Sequence, residues 1–398
     1  MPAKRSSSGV TGSKPERSEP MPAASIREKL RRSLAAGLHA TGALRLLRRF
    51  EGSRQVLSSP ASRWPKIRQF AGSKFGILCY HRVGTDGVPL FSRLDPRVFE
   101  AQMKYVRKHY RLIPLRELCQ EIAGGDVVQP TLAITFDDGY RDLYKHAFPV
   151  LRKYEIPATI YLIGRSMETG ESPWYDRIFV ALDHASGSSI DVEMDVPRQF
   201  ALTSVAARRN AAWEIVCFLR TISDASRRKW CLAFEARMKP PLDELKERML
   251  DWNQVRSMQA SGISFGAHTM THPSVARLEV EQFEEELGRS RSLLEAGLDA
   301  PVEDFAYPFG KTSDCFPAGD GRLAQCGYRS AVTTVEGINS LGANPFRLNR
   351  MQIGDDPSLS LFAFSLARMF FESDLASSVS PTAQRTDVLS LEAGRSGL

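Results

Sequence analysis

Thr131-Leu132-Ala133-Ile134-Thr135-Phe136-Asp137-Asp138-Gly139 reads as a buried strand that stops at two adjacent acids and a glycine. A short run of apolar and β-branched residues without alternation is the pattern of a strand covered on both faces, as in a parallel sheet. Adjacent residues at a strand end point in different directions, so one carboxylate can bind a cation while the other stays free as a base. An acid that merely caps the next helix is the plainer reading and suits Asp142. Two consecutive acids leaving a buried strand are costly to place without a cation.

Working outward, the chain repeats the strand–loop–helix texture. Phe75–Tyr80 is a short apolar run followed by the loop His81-Arg82-Val83-Gly84, and Phe99, Met103 and Val106 have helical spacing. Strands are expected over 111–115, 158–163, 263–267, 305–307, 328–333 and 347–353, with helices over 143–154, 252–261 and 279–296. Such βα units predict an α/β fold, a parallel sheet covered by helices and either open or closed into a barrel. The chemically distinctive strings sit just past strand ends, on the rim where such barrels hold their active sites. Residues 171–250 interrupt the alternation with a charged, largely helical stretch, read as an insertion. The expected organisation is a disordered leader (1–25), a basic helical segment and linker (26–70), the barrel (71–372) and a disordered tail (373–398).

Charge is unevenly placed. Residues 1–70 hold 15 Lys/Arg and 4 Asp/Glu, +11 of a net +7, which leaves −4 for the rest. The basic balance therefore belongs to the N-terminal segment, and no nucleic-acid partner is expected. Ile26, Leu30, Leu34, Leu38, Leu44 and Leu47 recur near helical spacing between basic clusters. They read either as a helix packed on the catalytic domain or mobile leader, or as a basic amphipathic helix making peripheral membrane contact through 26–50. No secretory signal and no membrane-spanning stretch is evident, so a cytoplasmic place, or one at the inner membrane face, is expected. The six cysteines lack C-x-x-C pairs and read mostly as buried free thiols.

Two more strings carry chemistry. In His268-Thr269-Met270-Thr271-His272 the histidines are four apart, so on one helical turn both imidazoles point the same way. A carboxylate from another strand completes a three-ligand face with positions open to water and substrate. An isolated pair of this spacing is common, but this one follows a strand and precedes Pro273, which confines it to a short loop or turn. In Phe305-Ala306-Tyr307-Pro308-Phe309-Gly310, Pro308 fixes a turn and Gly310 permits positive φ, so a backbone N–H can be held towards an oxyanion. Alone, this string reads as an ordinary strand-to-loop turn.

In this order and combination, the strings resemble those of the polysaccharide deacetylases of the NodB-homology type, carbohydrate esterase family 4, from about Phe75 to Ile353. The resemblance implies a distorted (β/α) barrel, here with a helical insertion and a basic N-terminal extension. It also implies a metal-dependent hydrolase that removes N-acetyl groups from amino sugars of a polysaccharide or cell-envelope glycan. By position Asp137 resembles the catalytic base, and Asp138, His268 and His272 the ligands of a divalent metal, zinc first, with cobalt or nickel as alternatives. Phe309 takes the place whose backbone N–H binds the oxyanion. Tyr307 and Trp174, the latter in Ser172-Pro173-Trp174-Tyr175-Asp176-Arg177, are expected beside the substrate, with an anchor for the insertion as the other reading of Trp174.

The pattern departs from the family twice. The arginine that usually precedes the proline of the third motif and orients the base is replaced by Ala306 and Tyr307, and Arg350 is the candidate to reach in instead. The late Leu-x-His motif that supplies an acid is missing, since no histidine follows His272. His81, on the same rim, is the substitute, although it reads equally as a residue capping its own loop. Both departures suit a branch linked to exopolysaccharide or cell-envelope glycans. The missing acid also keeps open an O-acetyl esterase or another amide hydrolase on the same metal site. An inactive scaffold that binds glycans is the third reading.

Overall fold

Strands that are apolar on both faces must be covered on both, and this chain does so by curling one parallel sheet and laying helices outside it. The computed structural model describes residues 74–379 apart from 86–89, 125–128 and 247, with 371–379 as backbone alone. The leader, the basic segment with its membrane-surface reading, and the expected tail from 380 on lie outside the described residues, whereas 373–379, expected to begin that tail, continue the last helix.

The chain runs β1 (Lys74–Tyr80), α1 (Pro96–His109), β2 (Arg111–Leu112), α2 (Leu115–Gly124), β3 (Thr131–Phe136), α3 (Phe148–Lys153), β4 (Ala158–Leu162) and α4 (Gly164–Thr169). It then leaves the barrel through α5 (Trp174–Asp183), β5 (Ser189–Val192), β6 (Arg198–Ala201), α6 (Val205–Leu219) and α7 (Asp224–Met238). It returns with α8 (Trp252–Gln259), β7 (Ser264–Ala267), α9 (Val280–Leu298), β8 (Asp304–Ala306), α10 (Gly319–Gln325) and β9 (Ser330–Val332). The last elements are β10 (Asn339–Ser340), β11 (Met351–Gln352) and α11 (Leu359–Val379).

The sheet order is β10-β1-β3-β4-β7-β8-β9, with β2 on β3 and β11 on β1. Every pairing in it is parallel except β1 with β10. Leu348 bridges Val332 of β9, and Met351 and Gln352 pair with Leu78 and Cys79 of β1. Residues 348–352 thus carry the far strand back to the first, and the sheet is a distorted (β/α) barrel.

Alternation along the strands sorts their side chains. Phe75, Ile77, Ala133, Tyr161, Ala306 and Val332 point inward and pack as one cluster, and Leu78, Tyr80, Ile134, Phe136, Ile160, Leu162 and Phe305 point outward under the helices. Continuing the same count past the strand ends puts Cys79, His81, Asp137 and His268 on the inner face. The excursion between α5 and α7 has a core of its own, built from Ile178, Phe179, Ile190, Ala212, Ile215, Val216 and Phe234, against which Phe309 of the rim packs.

Two elements differ from the expected ones. The stretch expected as one helix over 143–154 opens with a wide turn at Leu143–Ala147 in which the Phe148 N–H reaches the Leu143 carbonyl, because Pro149 has no N–H to carry a regular ladder through. The excursion is not wholly helical, since β5 and β6 form an antiparallel hairpin. Among the described residues, no helix is long and apolar enough to cross a membrane.

Gly266, in the strand that delivers His268, lies between two walls. A Cβ there would stand 2.6 Å from the Tyr161 ring and 2.7 Å from the Asp304 carbonyl oxygen, and the latter is backbone that cannot swing aside. Gly266→Ala is expected to lower folding stability by roughly 1–3 kcal/mol, read from denaturant unfolding, as overpacking does.

Candidate active site

Three strand ends meet at the rim. Asp137 leaves β3 with its N–H on the Tyr80 carbonyl at 2.9 Å, and its carboxylate is buried. Arg350, fully buried, meets it with both arms: Nη1 donates to Oδ1 and Nη2 to Oδ2, each at 2.7 Å. Nη1 also donates to Thr135 Oγ1 at 3.2 Å and Nε to the Thr333 carbonyl at 2.6 Å. Arg350 therefore occupies the place that Ala306 and Tyr307 leave without an arginine. Burial pushes the Asp137 carboxyl up, but the charge and hydrogen bonds of Arg350 outweigh it and hold it below the usual carboxylate range.

Cys79 Sγ donates to Asp137 Oδ2 at 3.5 Å, and His81 Nε2 lies 3.9 Å from the same oxygen with its imidazole 42% exposed. The ligand-type atoms of Cys79, His81 and Asp137 fall within 4.8 Å of one another. They do not make a cation site, because the Arg350 charge already spans both oxygens of Asp137.

Asp138 turns the other way, at φ 73°. Its Oδ1 lies 3.5 Å from His272 Nε2 and 3.6 Å from His268 Nε2, and all three side chains are buried. His268 Nδ1 sits 2.7 Å from the Ala306 carbonyl, which can only accept, so Nδ1 carries the proton and the Nε2 lone pair faces Asp138. Burial, then the neighbouring Asp137 charge, pushes Asp138 well above the usual range. Burial brings His268 down to about 4, and burial, followed by the proximity of His268, holds His272 well below the usual imidazole range. A carboxyl group whose charge no nearby cationic side chain among the described residues pairs with and two neutral imidazoles thus converge, largely buried, at the rim. That donor set of one oxygen and two nitrogens fits a divalent cation of the zinc type.

The histidines are not on a helical turn, as their spacing suggested. Residues 268–272 form a loop with Thr269 at φ 62° and His272 at φ 55°. Thr269 Oγ1 accepts the His272 N–H at 3.0 Å and donates to the His268 carbonyl, which closes the loop on itself. From the excursion, Trp174 Nε1 donates to the His272 carbonyl at 3.0 Å, and the Tyr175 ring meets the His272 ring edge-on at 5.0 Å.

Phe309 stands at φ 59° and Gly310 at φ 67°, where a Cβ would lie 2.7 Å from the Thr334 nitrogen. The Phe309 carbonyl accepts from Thr334 Oγ1, its ring lies edge-on to His272 at 4.8 Å, and Arg220, paired with buried Asp314, covers the ring at 4.3 Å. Among the described residues, no hydrogen bond uses the Phe309 N–H.

One expected substrate contact does not reach the site. Tyr307 follows inward-facing Ala306, so it points into the helix layer, fully buried between Phe305 and the Arg347 guanidinium, each 5.2 Å away. Trp174 is half-buried, with Arg227 4.7 Å over its ring as well as the bond to His272, which are the contacts of an anchor. Sequence reasoning missed Cys79 and Arg220. The first was available by stepping back two residues along β1 from His81, whereas nothing in the sequence pointed to the second.

The two acids should respond oppositely to loss of charge. Asp138→Asn is expected to raise the melting temperature of metal-stripped protein at neutral pH, because it removes a carboxyl whose ionised form burial and Asp137 disfavour, and the gain should shrink as pH falls towards the ordinary carboxylate range. Arg350→Met leaves Asp137 buried without its partner and is expected to cost roughly 3–5 kcal/mol in chemical denaturation.

Comparison with known proteins gives the family. Residues 124–331, more than half of the 398, match the family model described as polysaccharide deacetylase. YxkH of Bacillus subtilis (strain 168), named for the same family, is 23% identical over 318 residues, 79% of this chain and 83% of its own length. The poly-beta-1,6-N-acetyl-D-glucosamine N-deacetylase of Staphylococcus aureus (strain MSSA476) is 35% identical over a shorter stretch of 66 residues, 16% of this chain and 23% of that one. The deacetylase PplD of Streptococcus pyogenes, solved in complex with acetate, shares the fold at a TM-score of 0.50 and 20% identity over 74% of this chain and 98% of its own. The chain belongs to the polysaccharide deacetylase family.

Proposed function

We propose that this protein is a metal-dependent deacetylase that hydrolyses N-acetyl groups on amino sugars of a polysaccharide or cell-envelope glycan. The observation that carries the reading is the division of labour between adjacent acids: Asp137 held ionised by Arg350, Asp138 turned towards two neutral histidines. Family membership supports the reaction, and the short similarity to the staphylococcal enzyme supports an N-acetylated hexosamine polymer as the substrate class.

Asp138 Oδ1 and Nε2 of His268 and His272 would hold the cation, which supplies Lewis-acid polarisation of the acetamide carbonyl and a more acidic water. Asp137 takes the proton from the attacking water. Arg350 fixes its plane, so the base cannot rotate away from that proton. The Phe309 N–H, on a turn that Gly310 and Thr334 hold rigid, donates to the developing oxyanion. His81 Nε2, exposed to the rim and close to Asp137, gives a proton to the departing amine.

Acetate released from an N-acetylglucosamine oligomer is the readout. Asp137→Asn is expected to lose at least about 10²-fold in rate, the usual share of a positioned base. His81→Gln should slow N-acetyl hydrolysis more than O-acetyl hydrolysis on a matched substrate, because an amine must be protonated to leave. Unchanged acetate release by the Asp137 variant, or none from any N-acetylated glycan by metal-loaded wild type, would sink the proposal.

A further inference from the structure

Glu284, Glu285 and Glu286 are consecutive on α9, yet they have different surroundings. Glu284 pairs with Arg322 and Glu285 with Arg289 at the surface, whereas Glu286 is buried. Among the described residues it has no ion pair. A buried carboxylate without a cation costs several kcal/mol unless hydrogen bonds satisfy it. All its compensation comes from one place, the loop between the two candidate metal histidines. Oε2 accepts the Met270 N–H at 2.7 Å and the Thr271 N–H at 2.9 Å, and Oε1 accepts the Thr271 hydroxyl at 2.7 Å.

Two successive backbone N–H groups turned to one side form a concavity that takes an anion. Here the concavity sits midway between His268 and His272, in a loop whose Thr269 and His272 are both left-handed and so cost on the order of 1–3 kcal/mol each unless the surroundings fix them. The helix does not need an acid at this position, but the loop does.

We propose that Glu286 is a positioning residue for the metal centre: its carboxylate fills the backbone concavity at Met270 and Thr271 and thereby sets the separation and direction of the His268 and His272 imidazoles. This rests on the reading of Asp138, His268 and His272 as metal ligands. Glu286 touches neither substrate nor ion. It acts on the affinity of the site through the loop, as outer partners of metal ligands do.

The test is a cobalt(II) titration of the metal-stripped full chain, followed by visible absorption, with thermal unfolding of each variant alongside. Glu286→Ala is expected to weaken cobalt binding by roughly 10–100-fold. Glu286→Gln keeps an oxygen for the two N–H donors and an amide for the Thr271 hydroxyl, and is expected to recover most of the affinity. If the alanine variant does not fold, Glu286→Asp, one methylene short of the loop, takes its place with the same expected loss. Wild-type affinity in a folded alanine or aspartate variant, whatever its melting temperature, overturns the proposal, as does a glutamine variant that binds no tighter than these. Wild type that takes up no cobalt overturns the metal reading and this one with it. Wild type that binds beside equally tight variants overturns the positioning role alone.

Discussion

The bidentate ion pair between Arg350 and Asp137 joins residues 213 positions apart, and most of the rim is arranged around it. Arg350 lies on the segment that returns from β9 to β1, so Asp137 is held in place only once the barrel has curled. The pair also gives the adjacent acids their different characters. One carboxylate has its countercharge built in, and the other is left to find one. In the proposed reaction the cost falls on basicity, since a carboxylate held below its usual range is a weaker proton acceptor and needs a water made more acidic by its surroundings.

Backbone strain is concentrated where the chemistry is. Of the eight non-glycine residues with positive φ among the described residues, Asp138, Thr269, His272 and Phe309 belong to the rim. Asp138 and Phe309 are each followed by a left-handed glycine, so the chain turns sharply at both points. These conformations aim side chains and an N–H where regular strand or helix could not. The restraints come from unrelated elements: Thr334 after β9, Trp174 on α5 and Thr269 within the loop itself.

Much of this was legible in the sequence because strand ends and alternation are local. The run into Asp137-Asp138-Gly139, the strand before His268 and the turn at Pro308 all carry their signal in a few adjacent residues. Arg350 was legible only through the family resemblance, whose pattern has an arginine where this chain has Ala306 and Tyr307. What could not be read depended on packing at a distance. Tyr307 looked like a rim aromatic until the inward position of Ala306 fixed its direction. The histidine spacing of four suits a helix and a strained loop equally. The β5–β6 hairpin shows its alternation over only four residues a side, too few to stand out in a charged stretch. Glu286 sits in a run of three glutamates, where only the fold decides which one turns inward.

The bond from Trp174 to the His272 carbonyl has a consequence for how this architecture can vary. An excursion that hangs from a barrel by its two ends could be exchanged between relatives as a cassette, with the catalytic rim untouched. This one has its first helix wedged under a candidate ligand, with Tyr175 against the same imidazole and Phe309 pressed into its core. The excursion is therefore also a wall of the site. A barrel transplanted without it would inherit Asp137, Asp138, His268 and His272 but not the surface that meets His272 and Phe309.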